Sequence, residues 1–421
     1  MQQKLDLHTG KPVWSAYRVP SVPTSRLARD VKADVLIVGM GISGAMIAET
    51  LTAQGLSVVG IDRRGPMLGS TQATTALVQF EIDEPLTSLS GMIGKRDAEQ
   101  AWRRSRLATA SLRARIAELG IHCTLEDRQS LYIAGNTLGP GELRCEAQAR
   151  RNAGLHATYL TAGELKGKFG IDREGAILSH GNLALDPRKL TAGLFRSALE
   201  RKARFYAPVE ATRISESRSD VVVETKGGPY ITARHLVIAT GYELMDIVPS
   251  DTHSTISTYA IATRPQKSAL WPGAALIWEA SDPYLYVRST ADGRVICGGE
   301  DENFTDEVRR DAMLVEKSAR IARKLKAMFP HLDTKPDFSW AGTFGTTTTG
   351  LPHMGALAGY PRIFAVQGYG GNGITFSQIA SEIVSATIAG SEDSDQNLFA
   401  FGRSSLLRKV ADFKRKIVPQ A

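Results

Sequence analysis

The chain has 421 residues, of which 43% are hydrophobic and 23% are charged, the usual composition of a globular protein with two domains or with one domain and a large insertion. Its net charge of +7 favours a basic enzyme with an anionic cofactor over a nucleic-acid-binding protein, because no run of Lys and Arg is interleaved with aromatic residues. The three cysteines, Cys123, Cys145 and Cys297, show no CxxC spacing, which argues against a disulfide framework and a structural zinc site.

The first residues of the chain predict neither a secretory signal nor a membrane anchor. Residues 1–17 lack an apolar core, and no stretch of the chain reaches the roughly eighteen apolar residues of a membrane span. We therefore expect a cytoplasmic protein. Residues 1–32 are polar and contain several prolines, so we interpret them as an irregular arm anchored by Trp14 and Tyr17.

The first regular elements form a βαβ unit. The run ADVLIVG is continuously apolar, as in a buried parallel strand, and a helix is predicted from Ser43 to Gln54. Gly55 suits the position after the helix, and the strand SVVGID follows. This order of elements is typical of a nucleotide-binding fold.

Helices and strands then alternate through the middle of the chain. Apolar residues at helical spacing predict a helix over 97–119, and CTLEDRQSLYIAG alternates like a strand. Thr161 and Glu164 stand in capping-box positions at the start of a helix. Asp186 and Pro187 are typical of the first residues of another helix, which we predict to run through residue 202.

The second half of the chain begins rich in predicted strands. Gly227 and Gly228 indicate a hairpin, and residues 254–301 contain several strand patterns. One long basic helix is predicted over 306–329, followed by the strand FSWAGTFG. The run IFAVQGYGGNGITFSQ then predicts a strand, a glycine-rich loop and a helix.

The first glycine loop predicts a dinucleotide site. Gly39, Gly41 and Gly44 form a G-x-G-x-x-G pattern directly after a strand and at the start of a helix. These glycines permit a tight turn, the approach of a pyrophosphate and close packing of helix on strand. Asp62 ends the next strand, where a carboxylate accepts hydrogen bonds from a ribose hydroxyl.

Two arginines follow that acidic residue. Arg63 and Arg64 could neutralise a cofactor phosphate, accept the 2′-phosphate of NADP, or be solvated charges at the end of a strand. A second G-x-G-x-x-G and a redox CxxxxC pair are both missing from the sequence, so one dinucleotide is predicted.

Several segments together resemble the D-amino-acid oxidase/glycine oxidase superfamily of FAD-dependent oxidoreductases, in its γ-glutamylputrescine oxidase-like branch. These segments are GMGISG, GSTQATTA, APVEA, ATGYE, YAIATRP, YLYVRSTADGRVICGGED, WAGTFGTTTTGLPHMG and GYGGNGITFSQIASEI, in consistent order over nearly the whole chain. The resemblance implies non-covalent FAD and oxidation of a substrate C–N bond to an imine, with the electrons passed on to O2 or another acceptor. The substrate would be a small-molecule amine or modified amino acid.

The resemblance also implies which residues meet the cofactor. The predicted cofactor-binding residues are Gly39, Gly41, Ile42, Ser43, Gly44, Asp62, Arg63, Arg64, Ser70, Thr71, Ala73, Thr74, Thr75, Ala76, Val209, Ala239, Thr240, Gly241, Gly342, Gly370, Gly371, Asn372, Gly373, Ile374 and Thr375. The two glycine loops are therefore expected to bracket one FAD, with the second loop at its flavin end.

The predicted fold is α/β (α+β overall), with a Rossmann-like FAD-binding domain and a β-rich, mixed-sheet substrate domain. We assign the FAD-binding domain to three separate ranges and the substrate domain to two. These ranges are 33–95, 150–250 and 335–395 for the first, and 96–149 and 251–334 for the second. Residues 396–421 are predicted to form a basic C-terminal helix, either packed on its own domain or lying on an anionic membrane.

Two departures from the family pattern bear on the substrate. Phe344 stands where amino-acid oxidases of the superfamily carry an arginine that clamps the substrate carboxylate. Asn372 stands where the sarcosine oxidase-like branch carries a lysine. The sequence therefore favours an amine or modified amino acid over a plain α-amino acid.

The candidate substrate-pocket residues are Arg288, Trp340, Phe344 and Tyr369. Arg264 could instead bind the substrate, and Tyr259 could line its pocket. For each of them a purely structural role is the alternative. Glu81 and Asp83 could pair with a cationic amine or be solvated loop carboxylates.

Two other functions stay open on the sequence alone. A flavin hydroxylase that uses NAD(P)H shares the first glycine loop, although GYGGNG replaces its Gly-Asp flavin loop. A non-catalytic FAD-binding subunit for electron relay is the second alternative. The sequence predicts no metal site and leaves the oligomeric state open.

Overall fold

The computed structural model describes residues 4–250 and 253–402, and two β-sheets dominate it. The strands in chain order are β1 His8–Gly10, β2 Val31–Val38, β3 Val58–Ile61, β4 Leu77–Val78, β5 Glu126–Ile133, β6 Ala157–Thr161, β7 Gly175–Ala184, β8 Arg204–Tyr206, β9 Ala211–Glu216, β10 Val221–Thr225, β11 Tyr230–Ile238, β12 His253–Thr263, β13 Leu276–Glu279, β14 Leu285–Ser289, β15 Val295–Glu302, β16 Pro336–Thr347, β17 His353–Leu357 and β18 Tyr360–Gln367.

Ten α-helices are assigned within the described residues. They are α1 Ile42–Ala53, α2 Leu86–Ile93, α3 Lys95–Glu118, α4 Pro140–Asn152, α5 Ala162–Phe169, α6 Pro187–Glu200, α7 Glu307–Ala312, α8 Leu314–Met328, α9 Gly373–Ile388 and α10 Gln396–Phe399. None of the helices within these ranges combines the length and the apolar character needed to cross a bilayer.

The nucleotide-binding layer is a sheet with a parallel centre. Its strand order is β17-β18-β11-β2-β3-β8, with β10 paired to β11 and β9 to β10, and the run from β18 to β8 is parallel. The central strands are continuously apolar because helices cover both faces of a doubly wound sheet. The fold predicted from the βαβ pattern is confirmed.

The second sheet is mostly antiparallel and carries the β-rich part of the chain. Its order is β1-β16-β12-β15-β14-β13-β5-β7-β4, with β6 paired to β7 and one parallel pair, β13 with β5. The predicted mixed sheet is therefore present. The strands β6, β7 and β16 of this sheet come from ranges that were predicted for the FAD-binding domain. The domain boundaries therefore stay a prediction.

Local signals placed most elements correctly. In the capping box, the Thr161 hydroxyl accepts from the Glu164 backbone N–H at 3.4 Å, and Glu164 Oε2 accepts from the Thr161 N–H at 2.9 Å. Asp186 Oδ1 accepts the N–H groups of Arg188 and Lys189 at 2.9 and 3.1 Å, which starts α6. Both caps satisfy donors that have no partner inside the helix.

The single long helix predicted over 306–329 is wrong, because the structure divides it into α7 and α8 at Met313. The Met313 N–H is shared between the carbonyls of Arg309 and Arg310 at 3.2 and 3.3 Å, a tighter turn than a continuous α-helix. Of the predicted C-terminal helix, only α10 and the residues up to 402 are described; the basic stretch from 403 lies outside the described residues.

Helices α1 and α9 begin side by side. The hydroxyls of Ser43, in the first turn of α1, and Ser377, at the start of the second turn of α9, are 2.8 Å apart. The close packing of α1 depends on Gly44, since a Cβ there would lie 2.0 Å from the Gly39 carbonyl oxygen. The opening turns of the two helices therefore share one wall.

This close approach can be tested with Gly44→Ala. We expect a loss of roughly 1–3 kcal/mol in the free energy of unfolding. The added methyl group would press against the Gly39 carbonyl, which is backbone and cannot move away as a side chain could. Gly167→Ala is the matched control, since Gly167 also lies in a helix but nothing stands within 4 Å of its added Cβ. There alanine should be neutral or stabilise by about 0.5–1 kcal/mol. Equal urea-unfolding midpoints for the two variants would contradict the packing argument.

Candidate active site

A cavity of about 1640 Å³, counting its open mouth, lies where the two sheets meet. Both glycine loops line it, together with residues from β12, β14 and β16. Because one continuous space runs between the two glycine loops, it suits a long cofactor with a substrate site beside it.

The first glycine loop gives the cavity an anion-binding end. Gly39 has φ +112°, and a Cβ there would lie 2.3 Å from the Ala239 carbonyl oxygen, so only glycine fits this turn. Gly41 stands just before α1 and lines the cavity with Ile42 and Ser43. The Ile42 N–H donates to Thr71 Oγ1 at 3.1 Å, so the N–H groups of the next residues of α1 are the ones that could meet a phosphate.

Asp62 lies at the end of β3 and lines the same cavity. Its Oδ2 accepts the Met40 N–H at 2.8 Å, and its Oδ1 accepts the N–H groups of Arg64 and Gly65 at 2.7 and 2.9 Å. A carboxylate has about four lone-pair sites, so roughly one remains for a ribose hydroxyl.

Arg63 and Arg64 both pair with Glu243. Arg64 Nη1 and Nη2 donate to Glu243 Oε2 and Oε1 at 2.6 and 2.7 Å, and Arg63 Nη2 forms a second ion pair with the same carboxylate. All three side chains line the cavity. The interpretation of Arg64 as a solvated charge is wrong, because a nearly buried carboxylate holds it.

The second glycine loop is fixed against the segment 79–83. Thr375 Oγ1 donates to the Gln79 carbonyl at 2.7 Å, and Asn372 Nδ2 donates to the Glu81 carbonyl. The Gly371 N–H donates to Asp83 Oδ2 at 2.7 Å. The loop is therefore rigid, and the amide nitrogen of Asn372 serves the protein backbone.

Aromatic side chains wall the end of the cavity beside the second glycine loop. The set comprises Tyr242, Trp278, Tyr284, Tyr286, Phe344 and Tyr369. Tyr284 donates its hydroxyl hydrogen to Asp301 Oδ2 at 2.7 Å, and Trp278 stacks on Tyr132 with ring centroids 3.8 Å apart. These contacts hold two of the rings in place.

Asp83 is the carboxylate at this aromatic end. Its side chain is open to the cavity, yet withdrawal from bulk water raises its pKa to about 6, with further increases from Glu84 and Asp301. Burial likewise raises the pKa of Asp301 to about 6. No lysine, arginine or histidine pairs with Asp83 within residues 4–250 and 253–402.

A strap formed by residues 4–11 crosses the charged end of the cavity. The Leu5 N–H donates to Glu243 Oε1 at 2.9 Å, and Arg64 Nη2 donates to the Leu5 carbonyl at 2.8 Å. Leu7 lines the cavity, and β1 pairs antiparallel with β16. The strap therefore ties the two sheets together over the predicted cofactor.

Most of the predicted site residues line this cavity. They are Gly39, Gly41, Ile42, Ser43, Asp62, Arg63, Arg64, Ser70, Thr71, Ala73, Thr74, Thr75, Val209, Ala239, Thr240, Gly241, Gly342, Phe344, Tyr369, Gly370, Gly371, Asn372, Gly373 and Ile374. Gly44, Ala76 and Thr375 stand behind the lining. Their predicted contact with the cofactor stays a prediction, although Gly44 and Thr375 shape the two loops.

Arg288 and Trp340 do not line the cavity, which corrects their assignment to the substrate pocket. Arg288 is 2% exposed, and its Nη1 donates to the carbonyls of Ala76 and Leu185 at 2.6 and 3.1 Å. Trp340 is also buried and donates to the Ala73 carbonyl at 2.8 Å. Both side chains support the wall from behind.

The weaker candidates also lie elsewhere. Arg264 has a 79% exposed side chain near Asp337, and Tyr259 is buried outside the lining. Glu81 is buried outside the cavity lining, and its Oε1 accepts hydrogen bonds from the side chains of Ser130 and Asn182, so it is not a solvated loop carboxylate.

Tyr242, Trp278, Tyr284 and Tyr286 were missed by the sequence reasoning. Tyr284, Tyr286 and Arg288 alternate along one strand, so they share a face. The alternation could have pointed to all three residues. Only Arg288 was predicted to line the pocket, whereas the two tyrosines are the ones that do. Trp278 and Tyr242 carried no comparable local signal.

The chemistry of the lining fits a flavin dinucleotide. The start of α1 supplies N–H groups for a phosphate, and Asp62 keeps capacity for a ribose hydroxyl. Gln79 lines the cavity, is 8% exposed, and has no hydrogen-bond partner for its Nε2 within the described residues. A buried donor without a partner is costly, which indicates that a bound group satisfies it.

The chain is similar to known FAD-dependent oxidoreductases over most of its length. The family model described as "DAO: FAD dependent oxidoreductase" matches residues 34–387. The probable oxidoreductase OrdL of Rhizobium meliloti (strain 1021) is 25% identical over 381 residues, covering 86% of this chain and 83% of that protein. Gamma-glutamylputrescine oxidoreductase of Escherichia coli (strain K12) is 24% identical over 378 residues, covering 87% and 86%.

Solved structures share the fold at low sequence identity. Glycine oxidase from Geobacillus kaustophilus superposes with a TM-score of 0.73 at 21% identity, over 89% of this chain and 98% of that one. L-proline dehydrogenase from P. horikoshii gives a TM-score of 0.72 at 17% identity, over 93% and 100%.

The strap generates one prediction. Removing residues 1–11 should speed FAD release by about tenfold or more, because Leu7 and the contacts of Leu5 with Glu243 and Arg64 close that end of the cavity. The rate is measured from the rise in FAD fluorescence after dilution. Lys4→Ala is the control, since it removes only an exposed ion pair with Glu210. Unchanged release from a folded truncation would contradict the role of the strap.

Asp83 generates a second prediction through its raised pKa. In the substrate-free holoenzyme, an Asp with a folded-state pKa near 6 and an unfolded value near 3.8 destabilises the fold once it ionises. Asp83→Asn should therefore raise the Tm at pH 8, and the gain should shrink as the pH falls through 6 and vanish by about pH 4. Asp172→Asn is the control, since it removes an 82% exposed carboxylate that pairs with Lys166 at the surface, and it should leave the Tm nearly unchanged. An equal gain at every pH would contradict the assignment.

Proposed function

The chain belongs to the DAO family of FAD-dependent oxidoreductases, which act on C–N bonds, and we propose that this member oxidises an amine or modified amino acid in preference to a plain α-amino acid. FAD is its cofactor, held without a covalent bond, and when bound it supplies the acceptor for the two electrons removed from the substrate. In becoming an imine, the substrate amine also loses two protons, and hydrolysis of the imine completes the reaction.

The observation that carries the proposal is the charge at the aromatic end of the cavity. A plain α-amino acid would bring a carboxylate that needs a cationic or strongly donating partner. The cationic residues in the described lining, Arg63 and Arg64, already pair with Glu243 at the charged end. Phe344 and Asn372 offer the substrate no positive charge, and Asp83 would repel its carboxylate.

The residues of the chain divide the work between holding the cofactor and shaping the substrate site. The two glycine loops and Asp62 would hold the dinucleotide. Phe344 and Tyr369 would orient an apolar substrate chain and exclude water around the reacting carbon. The start of α9 would stabilise negative charge that develops nearby during the reaction.

We further propose that the enzyme works in the cytoplasm on a freely diffusing small molecule. The three cysteines are free in the described structure, as expected for a reducing compartment. The electron acceptor would be O2 or another oxidant. Air reoxidation of the reduced enzyme distinguishes an oxidase from a dehydrogenase.

Anaerobic bleaching of the flavin absorbance tests the proposed function. Amines or N-modified amino acids should bleach the holoenzyme, and D-alanine and glycine should do so at least ~100-fold more slowly, because their carboxylate lacks a partner. Efficient bleaching by D-alanine would contradict the substrate preference. Bleaching by NAD(P)H alone would contradict C–N oxidation and favour a hydroxylase.

A further inference from the structure

Asp83 is a cavity-lining carboxylate to which the proposed C–N oxidation assigns no role. Among the described lining residues with an acidic or basic side chain, Asp62, Arg63, Arg64 and Glu243 form one interacting group at the charged end. Asp83 stands apart from them at the aromatic end. The only hydrogen bond recorded for its carboxylate in the described structure is the one that Oδ2 accepts from the Gly371 N–H at 2.7 Å.

The groups that surround Asp83 increase its need for a cation. Glu84 and Asp301 raise its pKa, and Asp83 in turn raises the pKa values of Tyr242 and Tyr284. Every one of these facing groups is acidic or phenolic. A carboxylate withdrawn from water without a positive partner is costly, and a bound ammonium group would remove that cost.

The walls beside Asp83 suit an ammonium group as well. Electron-rich rings attract cations over their faces, and Tyr242, Trp278, Tyr284 and Tyr286 line the same end of the cavity. The segment that carries Asp83 is fixed along the second glycine loop, so its carboxylate is held beside these rings.

The nitrogen that reacts cannot keep an ion pair with Asp83 while it is oxidised. Oxidation of a C–N bond to an imine needs the lone pair of that nitrogen, so the reacting amine must first lose its proton. If that proton passed to Asp83, both groups would become neutral and the ion pair would be lost. A substrate that keeps this ion pair throughout the reaction therefore needs a second basic nitrogen.

We propose that Asp83 binds a second, permanently protonated amine of the substrate, and that the enzyme's substrates are therefore diamines or longer polyamines. This inference rests on the proposed C–N oxidation. It makes Asp83 a specificity-determining residue: it selects the substrate by charge while the reacting nitrogen lies elsewhere in the cavity.

The test compares diamines with monoamines of equal length. The probes are 1,3-diaminopropane, 1,4-diaminobutane and 1,5-diaminopentane, each matched with the amino alcohol in which a hydroxyl replaces one amine. Dissociation constants come from the change in the flavin spectrum of the holoenzyme, and turnover comes from anaerobic bleaching. Wild type should prefer the best diamine by ~10–100-fold, the usual range for a hydrogen bond to a charged group.

Two variants assign that preference to a single carboxylate. Asp83→Asn should reduce it to within about threefold, whereas Glu84→Gln, which neutralises the adjacent carboxylate, should keep it. The pH dependence of the wild-type enzyme is a second test. Its preference for the diamine over the amino alcohol should fall as the pH drops through about 6, because Asp83 then loses its charge. Asp301 titrates in the same range, so the pH profile of Asp83→Asn separates the two groups.

The outcomes separate the inference from the proposed function. Diamine binding that depends on Asp83 but causes no bleaching would support the anchor and contradict oxidation of this class. Bleaching without a diamine preference, or with the same preference in Asp83→Asn, would overturn the anchor and leave C–N oxidation standing. Failure of every diamine to perturb the flavin spectrum would also overturn the anchor.

Discussion

The meeting of two helix starts at one cavity is the constraint on which the rest of the structure depends. Each helix carries about half a positive charge at its first turn, so placing two such ends together is unfavourable unless an anion lies between or beside them. The 2.8 Å contact between Ser43 and Ser377 fixes this arrangement. The parallel strands that lead into α1 and α9 then point their carboxyl ends at the same ligand.

The cavity is asymmetric in how its charges are balanced. At the dinucleotide end, Glu243 neutralises much of the charge of Arg63 and Arg64, so that end is assembled before any ligand binds. At the aromatic end, Asp83 has no matching cation among the described residues. The charges at the dinucleotide end are therefore paired within the protein. At the aromatic end, the proposed partner of Asp83 is a cationic group of the substrate.

Sequence reasoning succeeded where the signal was local. The G-x-G-x-x-G loop and Asp62 lie within 24 residues, Gly39 to Asp62, and the caps at Thr161 and Asp186 are shorter still. The residues of each pattern are close in sequence, so their spacing alone predicts the local backbone geometry. The dinucleotide end and the parallel sheet were therefore predictable. The resemblance to a known family then placed the second glycine loop at the same cofactor.

Reasoning from the sequence failed where a residue's role depends on distant partners. Arg288 reads as a functional charge, but carbonyls supplied by other parts of the chain occupy its donors. Asp83 reads as an ordinary loop carboxylate, and its role depends on Gly371, which is 288 positions away. Neither spacing nor composition encodes such contacts.

The strap has a consequence for the order in which the molecule is built. β1 is synthesised first, yet its partner β16 follows more than three hundred residues later, which at cellular translation rates is on the order of tens of seconds. The strap therefore cannot close until β16 has been made. β16 and the second glycine loop also line the cavity, so the cavity and its strap are completed together, once most of the described chain has been synthesised.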